Sequence, residues 1–421
     1  MSWKLRARVS VALATLVLTA GCGSTSSSTP SASTGGSSGT ASGGSSSGPS
    51  SAGGSATTPP VAAPFRHPLP GMPPVVGNDV YSQTRAGMLA PAVRHDPALL
   101  YVPDSAGSRV TVISQRTRKI VRVIPTGYLS QHVVPSYDLK TLYTNSSVAN
   151  ELVAIDPGTG RKTHSVPMPR PYNLYFTPDG KTAVVMIEEY DTIRFADPHT
   201  WRTIEDLKYP GCLGPNHADF SGNGRFFVVT CEFSGELLKI GTLDHRVEGA
   251  ITFDPQSTAP NADPVTMGKS IPQDVRLSPD GTTFYVADMG TNELRMISAR
   301  TFKQVGVIGM PRMPHGIYPS RDGTRLYVSD RGAGKVSVLD PKTNKIVDTW
   351  VIPGGGSPDM GGVSANGRML WLSGRNNGVV YGFNTRKGKL VATIPVGGSP
   401  HGIAVWPQPG RYSLGHTGNM R

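Results

Sequence analysis

The sequence predicts an all-β fold, a seven-bladed β-propeller of four-stranded antiparallel blades preceded by a disordered tether. Three observations carry the prediction. From about residue 98 the chain repeats with a period of roughly 40 residues, each unit reading as three strands split by a Gly-rich turn and a "D-P-x-T"-like turn, with a fourth strand ahead of them. Gly (50) and Pro (37) are abundant among 421 residues and charged side chains make up only 17%, a balance typical of many short strands and turns. No long stretch of helical periodicity follows the first 20 residues.

Taken in order, the chain opens on "MSWKLRARVSVALATLVLTAGC". A basic start, an apolar run from Val9 to Leu18 and small residues before Cys22 read as a secretory leader over residues 1–21. The run is short for a membrane span. The "TAGC" ending resembles the bacterial lipobox, with Thr19 where Leu is usual. That resemblance implies cleavage before Cys22, lipidation of Cys22 and an extracytoplasmic protein anchored to the bacterial cell membrane; secretion with Cys22 unmodified is the alternative. Residues 22–63 are almost wholly Ser, Gly, Thr, Ala and Pro, too poor in apolar surface to fold. The "GGSSG" at 35–39 matches a hydrolase nucleophile pattern but has neither strand nor helix around it and is discarded.

The formal charge is +12, three of the positives being Lys4, Arg6 and Arg8 of the leader. The remaining basic residues are scattered, which fits generic solubility or adhesion to anionic surfaces and gives nucleic-acid binding no support. The expected partners are a small ligand or an extracellular protein, and the expected state is a monomer.

Residues 64–97 read as a lead-in segment, 98–410 as the propeller and 411–421 as a C-terminal tail. "LLYVPDSAGSRVTVISQRTRKIVRVIPTG" aligns with "LYTNSSVANELVAIDPGTGRKTHSVPM", "FYVADMGTNELRMISARTFKQVGVIGM" and "LYVSDRGAGKVSVLDPKTNKIVDTWVIPG". The blades resemble the YVTN-repeat propeller family through YVPD (101–104), YTNS (143–146), YVAD (285–288) and YVSD (327–330), with "TPDG" at 177–180 and "SPDG" at 278–281. The strand at 401–406 is expected to close the ring against 98–125, in competition with a weaker candidate at 88–93. The insertion 254–270 reads as a loop over one face.

In a propeller the first strand of each blade lines the central channel, so equivalent strand heads converge on one rim. The heads are His132, Asn173, His217, Asp274, His315, Asp359 (or Met360, one residue on) and His401. Four of the chain's ten histidines thus fall on seven positions. The next strand returns to the same face and is expected to deliver Asn145, Glu188, Glu232, Asp288, Asp330 and Arg375. Such a ring can bind a divalent metal through His132, His217, His315 and His401, or hold a small anionic or polyhydroxylated ligand. The bland alternative is that each head bonds to a neighbouring blade's backbone or to channel water. His199 and His245 read as outer-turn residues, and Trp350, Trp371 and Trp406 as packing.

Cys212 and Cys231 lie on the mouth side and read as a disulfide outside the cytoplasm, or with His217 as a soft-metal site. "GPNHADF" (214–220) with "CEFSGEL" (231–237) looks like the lactonase-type propellers of the 6-phosphogluconolactonase and carboxymuconate cyclase group. The resemblance implies His217 and Glu232 as a catalytic pair, either one serving as general base; Asn216 stands where that group has Arg. The reading that emerges is a lipid-anchored propeller whose channel mouth binds a small ligand, metal or protein. A lactonase-like hydrolase or isomerase is the alternative, and a passive surface scaffold the third reading.

Overall fold

A computed structural model describes residues 63–253, 268–416 and 418–421. The leader, Cys22, the tether up to residue 62 and residues 254–267 of the insertion lie outside the described residues. Among the described residues the regular structure is 28 strands and two short 3-10 helices. The strands form seven four-stranded sheets, and all consecutive pairings within them are antiparallel.

Blades 1 to 6 follow chain order, with inner strands Ser130–Pro135, Asn173–Phe176, Pro215–Phe220, Pro272–Leu277, Pro314–Pro319 and Pro358–Val363. Every residue of these strands is buried, whereas the outer strand of blade 1, Arg161–Pro167, is almost wholly exposed. Val, Ile, Leu and aromatic side chains fill the spaces between adjacent sheets, as in the cluster of Val134, Leu152, Leu174 and Val185 between blades 1 and 2. Each such burial contributes about 1.5–3 kcal/mol. Trp350, Trp371 and Trp406 are buried in these interfaces.

Blade 7 closes the ring. The last strand, Ala404–Trp406, pairs with Leu99–Pro103 in the register Leu99↔Trp406 and Tyr101↔Ala404. The competing segment 88–93 is not an inner strand: Leu89 forms only isolated bridges to Pro409 and Gly410.

The lead-in and the tail both bind the turns that follow the inner strands, at the end away from the strand heads. Leu69 N donates to Asn223 O, Val80 N to Pro279 O and Gly87 N to Ala365 O. From the tail, Ser413 N donates to Tyr137 O, and the Tyr412 ring stacks on Tyr137 at 4.7 Å. The two segments meet where the Arg421 guanidinium lies 5.3 Å from the centre of the Tyr81 ring. The base of the channel is thereby covered by the chain itself.

Candidate functional site: a bulged histidine layer under a charged rim

One irregularity shapes the channel. In blade 3, Pro215 pairs with Cys231 and Ala218 with Val229, so Asn216 and His217 together oppose Thr230. Blades 1, 4, 5 and 6 shift register at the same place. A β-bulge of this kind re-aims consecutive side chains. The N–H displaced from the ladder is taken up by the opposing hydroxyl: His217 N by Thr230 Oγ1 (3.1 Å), Gly316 N by Ser329 Oγ (2.9 Å) and Met360 N by Ser373 Oγ (3.1 Å).

Each blade therefore offers two successive head positions. The first holds Gln131, Tyr172, Asn216, Gln273, His315, Asp359 and His401; the second holds His132, Asn173, His217, Asp274, Gly316, Met360 and Gly402. The seven predicted heads are thus not equivalent. His132, Asn173, His217 and Asp274 occupy the second position, and His315, Asp359 and His401 the first. The expected single ring is corrected to two tiers, one residue apart: His132, Asn173, His217 and Asp274 stand six residues before the turn residues Asp138, Asp179, Asn223 and Asp280, whereas His315 and Asp359 stand seven before Asp322 and Asn366.

The tiers still gather their imidazoles. Ring centres lie 4.6 Å apart for His132 and His401, 5.5 Å for His132 and His217, 6.3 Å for His217 and His315, and 6.1 Å for His315 and His401. A fifth imidazole, His416 from the tail, sits 4.8 Å from His217 and 5.0 Å from His132. Two glycines make this possible. A Cβ on Gly402 would lie 2.1 Å from His132 Cδ2. Gly415 has φ +109°, and a Cβ there would strike Leu174 O and Tyr175 Cα at 2.4 Å; only glycine lets the tail lie against blade 2 and deliver His416.

All five rings are buried. His132 Nδ1–H donates to the Tyr172 carbonyl at 3.0 Å, which leaves Nε2 as a bare lone pair. His401 Nδ1 pairs with Gln131 Oε1 at 3.0 Å, and Asn173 Nδ2 donates to His416 Nδ1 at 3.4 Å. Among the described residues, His132 Nε2, both nitrogens of His217, His315 Nδ1, His401 Nε2 and His416 Nε2 have no hydrogen-bond partner. An unsatisfied buried polar atom costs about 1–3 kcal/mol, so this concentration demands an explanation. Burial pushes His132 down to about 3. It also holds His217, His315, His401 and His416 well below the usual histidine range, with neighbouring Arg and His charges adding to the effect. The cluster is neutral, the form of imidazole that ligates metals.

Above it stands a charged rim, supplied by the residues that follow the second strand of blades 1 to 6: Ser147, Glu188, Glu232, Met289, Arg331 and Arg375. Glu188 and Glu232, on blades 2 and 3, are bridged by Asn216, whose Nδ2 donates to Glu188 Oε1 (3.0 Å) and Glu232 Oε2 (2.5 Å). Burial, then the Glu232 charge beside it, raises Glu188 well above the usual carboxylate range. On blades 5 and 6, Arg331 donates through Nε (2.9 Å) and Nη2 (2.7 Å) to Asp359 Oδ1. Arg375 Nη1 lies 3.8 Å from Asp359 Oδ2. His315 Nδ1 is 3.1 Å from Asp359 Oδ1, without hydrogen-bond alignment, and His401 Nε2 is 3.6 Å from Oδ2.

Several expected site residues belong elsewhere. Asp274 follows the bland alternative: it accepts from Ile317 N (2.9 Å) on the next blade and Val275 N (3.0 Å), beside Arg276. Asp288 is held inside its blade by Arg295 Nε (2.7 Å), Ser270 Oγ (2.6 Å) and Ile271 N (2.8 Å). Asp330 accepts from Ser337 Oγ at 2.7 Å. Glu232 meets Asn216 and Glu188, while the ring contacts of His217 are Tyr172, His132, His315 and His416; no hydrogen bond or ion pair joins Glu232 and His217 as the expected pair. Cys212 and Cys231 form a disulfide with Cα atoms 5.2 Å apart, so their sulfurs are not free to ligate a metal. His416 and Arg331 escaped the sequence reading. The first lies in a non-repeating tail, and the second stands one residue past the predicted Asp330.

A cleft of about 650 Å³ between blades 4 and 5, lined by Val307, Met310, Lys335 and Lys345 among others, gathers no comparable set of groups.

Comparisons with known proteins agree with this architecture. No curated protein matches the sequence. Among solved structures, a functionally unknown protein from Desulfotomaculum acetoxidans is 18% identical, with a TM-score of 0.58 over 73% of this chain and 98% of its own. Kuenenia stuttgartiensis hydrazine synthase is 16% identical, with a TM-score of 0.53 over 70% of this chain and 91% of its own. The dihydro-heme d1 dehydrogenase NirN is 14% identical, with a TM-score of 0.53 over 81% and 79%. At such identities these likenesses concern the fold alone. The family described as lactonase, 7-bladed beta-propeller matches residues 134–349. With half of its length matched and seven blades in its fold, the chain belongs to that lactonase propeller family.

Proposed function

We propose that the channel mouth binds a small, oxygen-rich ligand with a carbonyl or carboxylate at one end and hydroxyl donors at the other: a lactone or the hydroxy acid it opens to. The division of the rim carries the reading, with Glu188 and Glu232 on blades 2 and 3 facing a pole of Arg331 and Arg375 on blades 5 and 6. Guanidinium forks suit carboxylate or phosphate, and carboxylates accept from hydroxyls. Arg331 is engaged by Asp359, so Arg375, with 28% of its side chain exposed, is the freer cation. Calorimetric titration with glucono-δ-lactone and gluconate tests this. Arg375→Ala should weaken binding at least tenfold; unchanged affinity in that variant would contradict the reading.

The Asn216 bridge supports a second reading, hydrolysis. Glu232 takes a proton from water as its oxygen attacks the lactone carbonyl carbon. Arg375 faces the developing oxyanion. Glu188 gives its proton to the ring oxygen as the C–O bond breaks, leaving a hydroxy acid, and the two carboxyls then exchange the proton to reset. General-base catalysis is worth roughly 10²–10⁴-fold. Glu232→Gln should therefore lower kcat about 100-fold or more while keeping ligand affinity, and a variant that hydrolyses normally would refute the assignment.

The same proposal places the propeller outside the cytoplasm, held by acyl chains on Cys22. The leader-like residues 1–21 and the Cys212–Cys231 disulfide support that placement. Cys22→Ser should move the protein from the membrane fraction into the medium.

A further inference from the structure

We propose that His132, His217 and His416 form a nitrogen-only binding site for a late first-row transition-metal ion, zinc or copper in class, which the C-terminal tail completes from below. Their ligand atoms lie within 4.8 Å of one another, and the three rings are fully buried. Tetrahedral Zn–N bonds of about 2.0–2.1 Å need nitrogens about 3.4 Å apart, so small ring rotations close the remaining gap.

Three features make this a built site. The first is orientation: Tyr172 O holds the His132 Nδ1–H at 3.0 Å and leaves Nε2 without a partner, the arrangement that fixes the tautomer of metal-bound histidine. The second is vacancy of hydrogen bonding, since neither nitrogen of His217 and not Nε2 of His416 has a protein partner. Ligation through His416 Nε2 moves its proton to Nδ1 and gives up the long 3.4 Å contact with Asn173. The third is the donor set, because three imidazoles and no carboxylate select zinc, copper or nickel over calcium and magnesium. The positive field of Arg276, Arg331 and Arg375 opposes a dication, whereas Asp219, Asp274 and Asp359 offset it, so the imidazole donors must hold the ion.

A second trio, His315, Asp359 and His401, also has ligand atoms within 4.8 Å. It is a poorer site, because Arg331 already donates twice to Asp359 and a cation there displaces a bound guanidinium. The inference does not rest on the ligand at the mouth.

The test is titration of the untagged, chelator-treated full chain with Zn²⁺ and Cu²⁺ by calorimetry, and with Co²⁺ by visible absorption. We expect one ion per chain, copper tighter than zinc, and intense d–d bands from a low-symmetry cobalt site. His217→Asn, which leaves the tail untouched, and His416→Ala should each weaken binding at least tenfold, and His315→Ala less than twofold. Absence of one-to-one binding in the wild-type chain overturns the proposal. So does a site lost in His217→Asn but unaltered in His416→Ala, since the tail would then play no part.

Discussion

The base of the channel and the histidine layer above it are equally buried but treat their polar groups in opposite ways. At the base, Asp219 accepts from Phe220 N (2.7 Å), Leu277 N (2.8 Å) and Arg421 Nη2 (3.0 Å), and Asp274, though in the head tier of His132 and His217, joins the same paired set by accepting from Ile317 N and Val275 N beside Arg276. Arg276 Nε donates to Ile317 O at 3.1 Å, leaving one unpaired nitrogen, Nη1; Arg421 likewise leaves only Nε. Burial alone would depress Arg276, but Asp274 and Asp219 more than offset it and hold the guanidinium charged. In the layer above, five neutral imidazoles leave six ring nitrogens without a hydrogen-bond partner among the described residues, counting both of His217. Paired charges at the base join blade to blade and tail to ring. The unpartnered ring nitrogens above add nothing to the fold, which is what the proposed ligand site requires.

The sharpest way to break this contrast is acid. Each histidine is neutral in the native state and binds a proton only when unfolded, so the unfolded state gains protons as pH falls below about 6.5. Stability from these groups is present above that value and lost as pH falls toward about 3, the value for His132. Each contributes up to about 1.4 kcal/mol per pH unit. Asp274, raised to about 6 by burial against the pull of Arg276, together with Glu188 and Asp330, acts in the opposite sense because the native state holds those protons more tightly. Five groups against three leave a net loss of about 2 kcal/mol between pH 6.5 and 5.5, and more below it, in metal-free protein, measurable by urea unfolding. A flat profile would mean the imidazoles already find protons or partners in the native state.

Next in size is the base. Asp219→Ala leaves Arg421 buried and uncompensated, an expected cost of about 3–5 kcal/mol. Reduction of the Cys212–Cys231 disulfide, 19 residues apart, should cost about 3 kcal/mol by loop entropy. Smallest is the rim: Arg375→Ala should change stability by less than about 1 kcal/mol, its side chain being partly exposed and its contact with Asp359 long. A loss matching that of Asp219→Ala would make Arg375 a structural residue and weaken the ligand reading.

The fold was legible because it repeats: strand, turn and period recur often enough that YVAD and YVSD fall at equivalent places in successive units. Ring closure by 401–406 followed from counting inner strands. The site was legible only in part. His132, His217, His315 and His401 were found from the excess of histidine at strand heads, but the bulge that turns two successive positions to the channel has no residue signature, since Thr230, Ser329 and Ser373 look like ordinary strand residues. Asp288 and Asp330 were misassigned because a carboxylate at a strand end can turn inward along its own blade, to Arg295 or Ser337, as readily as toward the channel. His416 was invisible because nothing in "RYSLGHTGNMR" repeats, and only Gly415 hints that the tail must pass close to another backbone.

The central claim is that the histidine layer serves a ligand and the base serves the fold. Its most direct test is paired urea unfolding of metal-free His217→Leu and Asp219→Ala at pH 7.5. Leu nearly matches the volume of the imidazole and removes two unsatisfied nitrogens, so His217→Leu should be neutral or more stable than wild type, while Asp219→Ala loses about 3–5 kcal/mol. A loss of comparable size in both variants would contradict the account.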